Sequence, residues 1–340
     1  MNPATARPQF RFVALLIICL LPSIAAAQIP QFDALYVFGD SLADNGNILI
    51  QTSAMRMKPP VPPSATPHRT YFDGRFSNGY IAFEYLWERL SGHKPGSPRG
   101  LKPFLAEPFI QRPGALDFAF GGTGTAYIDK TPGGFSSPGL KGQVELLRLA
   151  LLGRKPSPRA LYGIVAGSND YRNDPFNVPM NPVDVVRNIE DAIVSLYKLG
   201  ARNVMVVDLP DLGKIPANAG PTSAAATALS EYHNGLLYGA LAGLQARYPQ
   251  LHLITVKLEP LFNDLRSRMN WQIPMIEVYS QRPPGVSACL FVNPATCIDM
   301  PPIVFKASLG FVFWDVAHPT TEAHHFLGDY MFDQLASEYE

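Results

Sequence analysis

Short runs of β-branched, aromatic and aliphatic residues recur along the chain and alternate with segments of helical periodicity. The runs are Tyr36–Gly39, Ala115–Phe120, Leu161–Ala166, Asn203–Val207 and Leu251–Val256. Helical patterns fill Tyr80–Leu90, Gly142–Leu152, Pro182–Leu199 and Thr222–Arg247 between them, and Thr321–Ser337 after the last. Strands that are almost continuously apolar are buried on both faces, and helices between them supply the crossovers of a parallel sheet. The pattern predicts an α/β fold with helices on both faces of a parallel central sheet. Right-handed crossovers then bring all the strand C-terminal ends to one edge.

Polar motifs stand at those ends. The first strand runs into Gly39-Asp40-Ser41, the second into Gly121-Gly122-Thr123-Gly124, and the third into Gly167-Ser168-Asn169-Asp170. Near the C-terminus, Asp315-Val316-Ala317-His318 follows an aromatic stretch, Phe311 to Trp314, and precedes Pro319 and the last helix. A serine after a strand is by itself a common turn residue or helix cap. Acyl transfer asks for more: a hydroxyl, a base with an orienting acid, and donors aimed at a developing oxyanion. Ser41 offers the hydroxyl. The three-residue spacing of Asp315 and His318 lets a turn place the carboxylate on imidazole Nδ1. The Ser41 N–H, a Gly121 or Gly122 N–H and the Asn169 amide are the candidate donors. Other readings of these glycines fail: no Gly-Lys-Ser/Thr follows, and the third glycine of a dinucleotide fingerprint is missing. Ala43 stands where a Gly-x-Ser-x-Gly elbow needs its last glycine, which argues against the α/β-hydrolase arrangement.

The four blocks Phe38–Ser41, Asp117–Gly122, Gly167–Asp170 and Asp315–His318 resemble those of the GDSL lipase/esterase (SGNH-hydrolase) family, in order and in spacing. Gly74-Arg75-Phe76-Ser77-Asn78-Gly79 resembles a segment of the longer, lipase-like branch. The resemblance implies a three-layer, flavodoxin-like α/β/α fold and serine esterase or lipase activity without metal or organic cofactor. It assigns Ser41 as nucleophile, Asp315 and His318 as its partners, and Ser41, Gly122 and Asn169 as the oxyanion hole. It implies a small-molecule or lipid ester as substrate, with contact to lipid surfaces. A phospholipase or glycerophospholipid acyltransferase is the same-fold alternative, and an inactive binding module the alternative outside catalysis. Phe120 departs from the small residue common at its place and is expected to narrow the acyl pocket.

Arg7 and Arg11 precede the apolar run Phe12–Leu21, and Ala25-Ala26-Ala27 follows, which is the layout of an export signal. The run is shorter than the roughly 20 residues that span a bilayer. Residues 1–27 are therefore expected to be removed, leaving one hydrolase domain over 28–340 in a periplasmic or extracellular setting. Lys plus Arg number 28 against 28 Asp plus Glu, so no basic excess calls for nucleic acid. Cys289 and Cys297, with seven residues between them, read as a disulfide closing a small loop. No second Cys/His pair stands nearby to make that pair a metal site.

The remaining candidates have structural readings. Asp40, Asp44, Asn45 and Asn47 are expected to shape the loop after the first strand. Glu322, His324 and His325 are expected on a partly exposed helix face, and Phe311, Phe313 and Trp314 in the core. Ile48–Arg69, crowded with prolines, reads as loop, and Ser77 or Asn78 as the cap of the following helix. Residues 270–305 read as irregular.

Overall fold

The computed structural model describes residues 30–109, 114–172, 178–280, 289–305 and 309–339. The expected export signal at 1–27 lies outside these residues. The chain builds β1 (Ala34–Gly39), α1 (Asn47–Ala54), α2 (Ala82–Ser91), β2 (Lys102–Pro103), β3 (Ala115–Asp117), β4 (Ile128–Lys130), β5 (Ser136–Pro138) and α3 (Leu140–Ala150). There follow β6 (Ala160–Val165), α4 (Pro182–Leu199), β7 (Asn203–Val207), α5 (Ser223–Arg247), β8 (His252–Val256), α6 (Leu258–Arg268), α7 (Met275–Ser280), α8 (Cys289–Val292) and α9 (Thr321–Ser337).

The central sheet has the order β2-β3-β1-β6-β7-β8, and all its pairings are parallel. Leaving aside the short edge strand β2, this is the flavodoxin-like order. Side chains alternate between two cores. Tyr36, Phe38, Tyr162, Ile164, Val204 and Val206 pack against α3, α4 and α5. Leu35, Val37, Leu161, Val165, Met205 and Val207 pack against α2 and α9. The period of two thus feeds both faces, which is why the strands read as unbroken apolar runs.

Register decides where the polar motifs emerge. Gly39 pairs with Val165, Val165 with Val207, and Val207 with Val256. The residues after β1, β6, β7 and β8 therefore leave the sheet level with one another, along a single edge. Gly39 has φ +147°, and a Cβ there would stand 1.9 Å from the Val165 carbonyl oxygen. No side chain fits, so the close approach of β1 and β6 under Ser41 requires glycine.

Three local expectations are corrected. The segment 48–69 is not all loop, because α1 occupies Asn47–Ala54. Its N-terminus is held by Asp44, whose carboxylate accepts the N–H groups of Gly46, Asn47 and Ile48. Ser77 and Asn78 do not cap α2: Glu84 reaches back to the Ile81 N–H at 3.1 Å and does that work. Residues 270–305 contain α7 and α8 rather than irregular chain alone. Pro182 and Gly200 bound α4 as expected, with Asn181 accepting the Val183 N–H.

Candidate active site

Residues 312–320 fold back on themselves. Phe313 bridges Pro319, the Trp314 N–H donates to the His318 carbonyl at 2.8 Å, and the Thr320 N–H donates to the Val312 carbonyl at 2.9 Å. The tip of this loop is the Asp315–His318 turn. Asp315 Oδ1 accepts the Ala317 and His318 N–H groups at 2.9 and 2.7 Å, which sets the turn, and His318 Nδ1 lies 2.8 Å from Oδ2. With Nδ1–H given to the carboxylate, Nε2 is left as an acceptor. It lies 2.8 Å from Ser41 Oγ. The structure therefore brings Ser41, His318 and Asp315 into one hydrogen-bonded row from opposite ends of the chain.

Asp315 is fully buried. Burial alone would raise its carboxyl, but the His318 ring, the turn N–H groups and the Tyr71 hydroxyl more than offset it and hold it below the usual range. Tyr71 Oη donates to Oδ2 at 2.7 Å. Phe76 and Phe291 flank the imidazole at centroid distances of 5.1 and 5.8 Å. The loop itself is tied down by the Gly74–Gly79 segment. Ser77 Oγ donates to the Pro319 carbonyl at 2.9 Å, and Asn78 Oδ1 accepts the Thr321 N–H at 2.8 Å.

Ser41, Gly122 and Asn169 line one cavity with His318, of about 760 Å³. The Gly121 N–H is taken by Asp44 Oδ2 at 2.8 Å. Of the two glycines, Gly122, at φ +79°, is left without an acceptor for its N–H among the described residues. Asn169 Nδ2 donates to Asp40 Oδ2 at 3.2 Å, and Ser168 Oγ to the same oxygen at 2.8 Å. Asp40 also accepts the Leu42 N–H at 3.0 Å, so it braces the turn and the Asn169 amide and makes no contact with His318 of the kind Asp315 does. Burial pushes the carboxyls of Asp40, Asp44 and Asp117 up, Asp44 to about 6. Asp44 and Asp117 shape the loops around the serine: Asp117 accepts the Asn45 and Ala119 N–H groups. Asn45 and Asn47 serve the same loops, Asn47 Nδ2 donating to the Asp117 and Ala119 carbonyls.

Some candidates part company with the site. Phe120 is buried with Ile48, Phe76 and Phe135 instead of narrowing the cavity. His324 is buried, contrary to its expected exposure, and its Nδ1 accepts the Ala82 N–H at 3.3 Å. His325 packs at a tilt against Tyr85, and Glu322 accepts the Gly310 N–H, so these three side chains diverge. Cys289 and Cys297 are joined as a disulfide, and the loop they close carries Leu290, Phe291 and Val292 to the cavity wall. Tyr71, Arg172 and Phe291 escape the sequence reading. Only Arg172 carried a signal, standing three residues beyond Asn169, just past the helical turn Ser168–Tyr171.

A family model described as GDSL-like Lipase/Acylhydrolase matches residues 35–331. The chain belongs to that family. Family membership makes this GDSL protein a carboxylic ester hydrolase by class, an enzyme of ester hydrolysis or acyl transfer. It is similar to a GDSL esterase/lipase of Arabidopsis thaliana, 24% identical over 357 residues and covering 95% of each chain. It is similar also to a phosphatidylcholine-sterol acyltransferase of Aeromonas hydrophila, 26% identical, covering 97% of this chain and 98% of that one. Among solved structures, an acetyl-xylooligosaccharide esterase variant from Geobacillus Stearmophilus aligns at TM-score 0.45 and 10% identity, covering 90% of this chain and 95% of that one.

Proposed function

We propose that this GDSL protein hydrolyses carboxylic esters of apolar acyl groups through an acyl-enzyme on Ser41. The observation that carries the reading is the row Ser41 Oγ–His318 Nε2–Asp315 at 2.8 Å and 2.8 Å, opening into a cavity that Gly122 and Asn169 also face. His318 takes the Ser41 proton as Oγ attacks the ester carbonyl. The negative charge that forms on the carbonyl oxygen meets the Ser41 and Gly122 N–H groups and the second Asn169 amide hydrogen. Collapse expels the alcohol, which receives the proton from His318. Water then attacks the acyl-serine with the same base and regenerates the hydroxyl.

The cavity walls support an apolar acyl group. Ile48, Val61, Phe135, Leu229, Leu290 and Phe291 contribute to them, and a volume near 760 Å³ exceeds what an acetyl ester needs. At the rim, Phe291 is 42% and Val292 79% exposed, which suits contact with a lipid surface. The Arg7/Arg11-flanked apolar run and the disulfide together favour an exported enzyme, secreted or periplasmic. The likeness to an acyltransferase supports one further reading, in which an alcohol replaces water in the second step.

Ser41→Ala should abolish hydrolysis of p-nitrophenyl esters while keeping the wild-type thermal transition. Wild-type turnover in that variant overturns the assignment. Product analysis with a phospholipid and an added alcohol separates hydrolysis from transfer.

A further inference from the structure

Arg172 bridges the two parts of the site that the backbone leaves apart. Gly122 follows β3 and Asn169 follows β6, on either side of β1. Nη1 of Arg172 donates to the Gly122 carbonyl at 2.8 Å and to Asn169 Oδ1 at 3.0 Å. Nη2 donates to the Lys130 carbonyl on β4 at 3.0 Å. A planar guanidinium is suited to this, because its donors point in fixed, divergent directions.

The contact to Asn169 also orders the amide. A guanidinium has donors only, so the atom it meets is the amide oxygen. The nitrogen is thereby turned to Asp40 Oδ2, at 3.2 Å, with its second hydrogen available to the cavity. At Gly122, which lies in the left-handed region at φ +79°, the same group holds the carbonyl, and through the glycine Cα this limits how far the preceding peptide, which carries the Gly122 N–H, can turn.

We propose that Arg172 is a positioning residue for oxyanion stabilisation, holding the Gly122 N–H and the Asn169 amide in the spacing the tetrahedral intermediate needs. The inference rests on the serine-hydrolase reading above. Arg172 reaches the reaction through Gly122 and Asn169, so its effect belongs to the transition state more than to ester binding. Removing one oxyanion donor costs on the order of 10²–10³ in turnover, and loosening two donors without removing either should cost less.

The test compares the full-length wild type with Arg172→Ala, Arg172→Lys and Ser41→Ala. Arg172→Ala should lower kcat about 10- to 100-fold with KM within about threefold. Its affinity for a phenylboronic acid, which forms a tetrahedral anion on the serine, should fall in parallel. Arg172→Lys keeps the charge but loses the fork, and should still lose about tenfold in kcat at a wild-type Tm. If Arg172→Ala fails to fold, the lysine variant decides. Unchanged kcat and boronate affinity in the folded variant, or a loss confined to KM, overturns the proposal while Ser41→Ala remains inactive. An active Ser41→Ala overturns the hydrolase reading itself, and the proposal with it.

Discussion

The Tyr71 hydroxyl donates to Asp315 Oδ2 at 2.7 Å, both side chains fully buried and 244 positions apart in sequence. It is one of the interactions that keep the Asp315 carboxyl below the usual range against the opposing pull of burial. A lowered carboxyl contributes stability above its unfolded-state value and forfeits it as pH falls through the folded-state value. Tyr71→Phe removes a donor and should let Asp315 take up its proton at higher pH. The acid limb of the kcat/KM profile should move upward, and stability at neutral pH should drop by about 1–2 kcal/mol. A pH–rate profile superimposable on the wild type would contradict this role.

Asn78 joins three parts of the fold. Its Oδ1 accepts the Thr321 N–H at 2.8 Å at the start of α9, and its Nδ2 donates to the Val304 carbonyl at 2.6 Å. Asn78→Ala leaves both backbone groups unsatisfied in a buried place, a cost of about 2–4 kcal/mol. Because α9 follows His318 directly, turnover should fall together with Tm. Differential scanning calorimetry and ester assays on the same preparation check the pairing.

Asp170 carries a pH signature. Burial pushes its carboxyl up to about 6, against the Thr125 N–H and hydroxyl that donate to Oδ1. Oδ2 has no partner among the described residues. A raised acid favours the folded state below its unfolded value and loses that advantage as pH rises through about 6. Asp170→Asn removes the charge at high pH only. Its Tm relative to wild type should therefore improve between pH 5 and pH 8; a constant offset would argue that the carboxylate is not being titrated.

The Cys289–Cys297 loop offers a separable effect. Closing so short a loop is worth about 2–3 kcal/mol on chain-entropy grounds, and it holds Phe291 against the His318 ring at 5.8 Å, near parallel. Replacing both cysteines by serine should raise KM for long-chain esters and leave kcat for p-nitrophenyl acetate within about twofold. Equal effects on both substrates would place the loop in the chemistry instead of the acyl wall.

How much of this was legible depended on range. The parallel strands announce themselves because both their faces are buried, and α4 because Asn181, Pro182 and Gly200 mark its ends locally. Helix α1 is hidden in the sequence: it is short, prolines crowd behind it, and its N–H groups are satisfied by Asp44 from the preceding turn. Helix α6 carries its signal in Leu258, Leu261 and Leu265, spaced for one face, but follows β8 so closely that the two patterns merge. Ser77 and Asn78 looked like a cap for the helix nearest in sequence, while their partners sit more than 200 positions away. Tyr71 belongs to the same class, as do the contacts of Arg172 with Gly122 and Lys130. Their roles arise from contacts between strand ends and loops, which spacing along one segment cannot express.

The way α9 is fastened bears on how the site is assembled. Ser41 and His318 come from segments far apart in sequence, and their contact depends on the 315–318 turn, behind which the Asn78–Thr321 hydrogen bond holds the helix. In the proposed mechanism the Ser41 hydroxyl is therefore without its base until the 315–318 turn docks, so loosening α9 would disarm the serine without touching it.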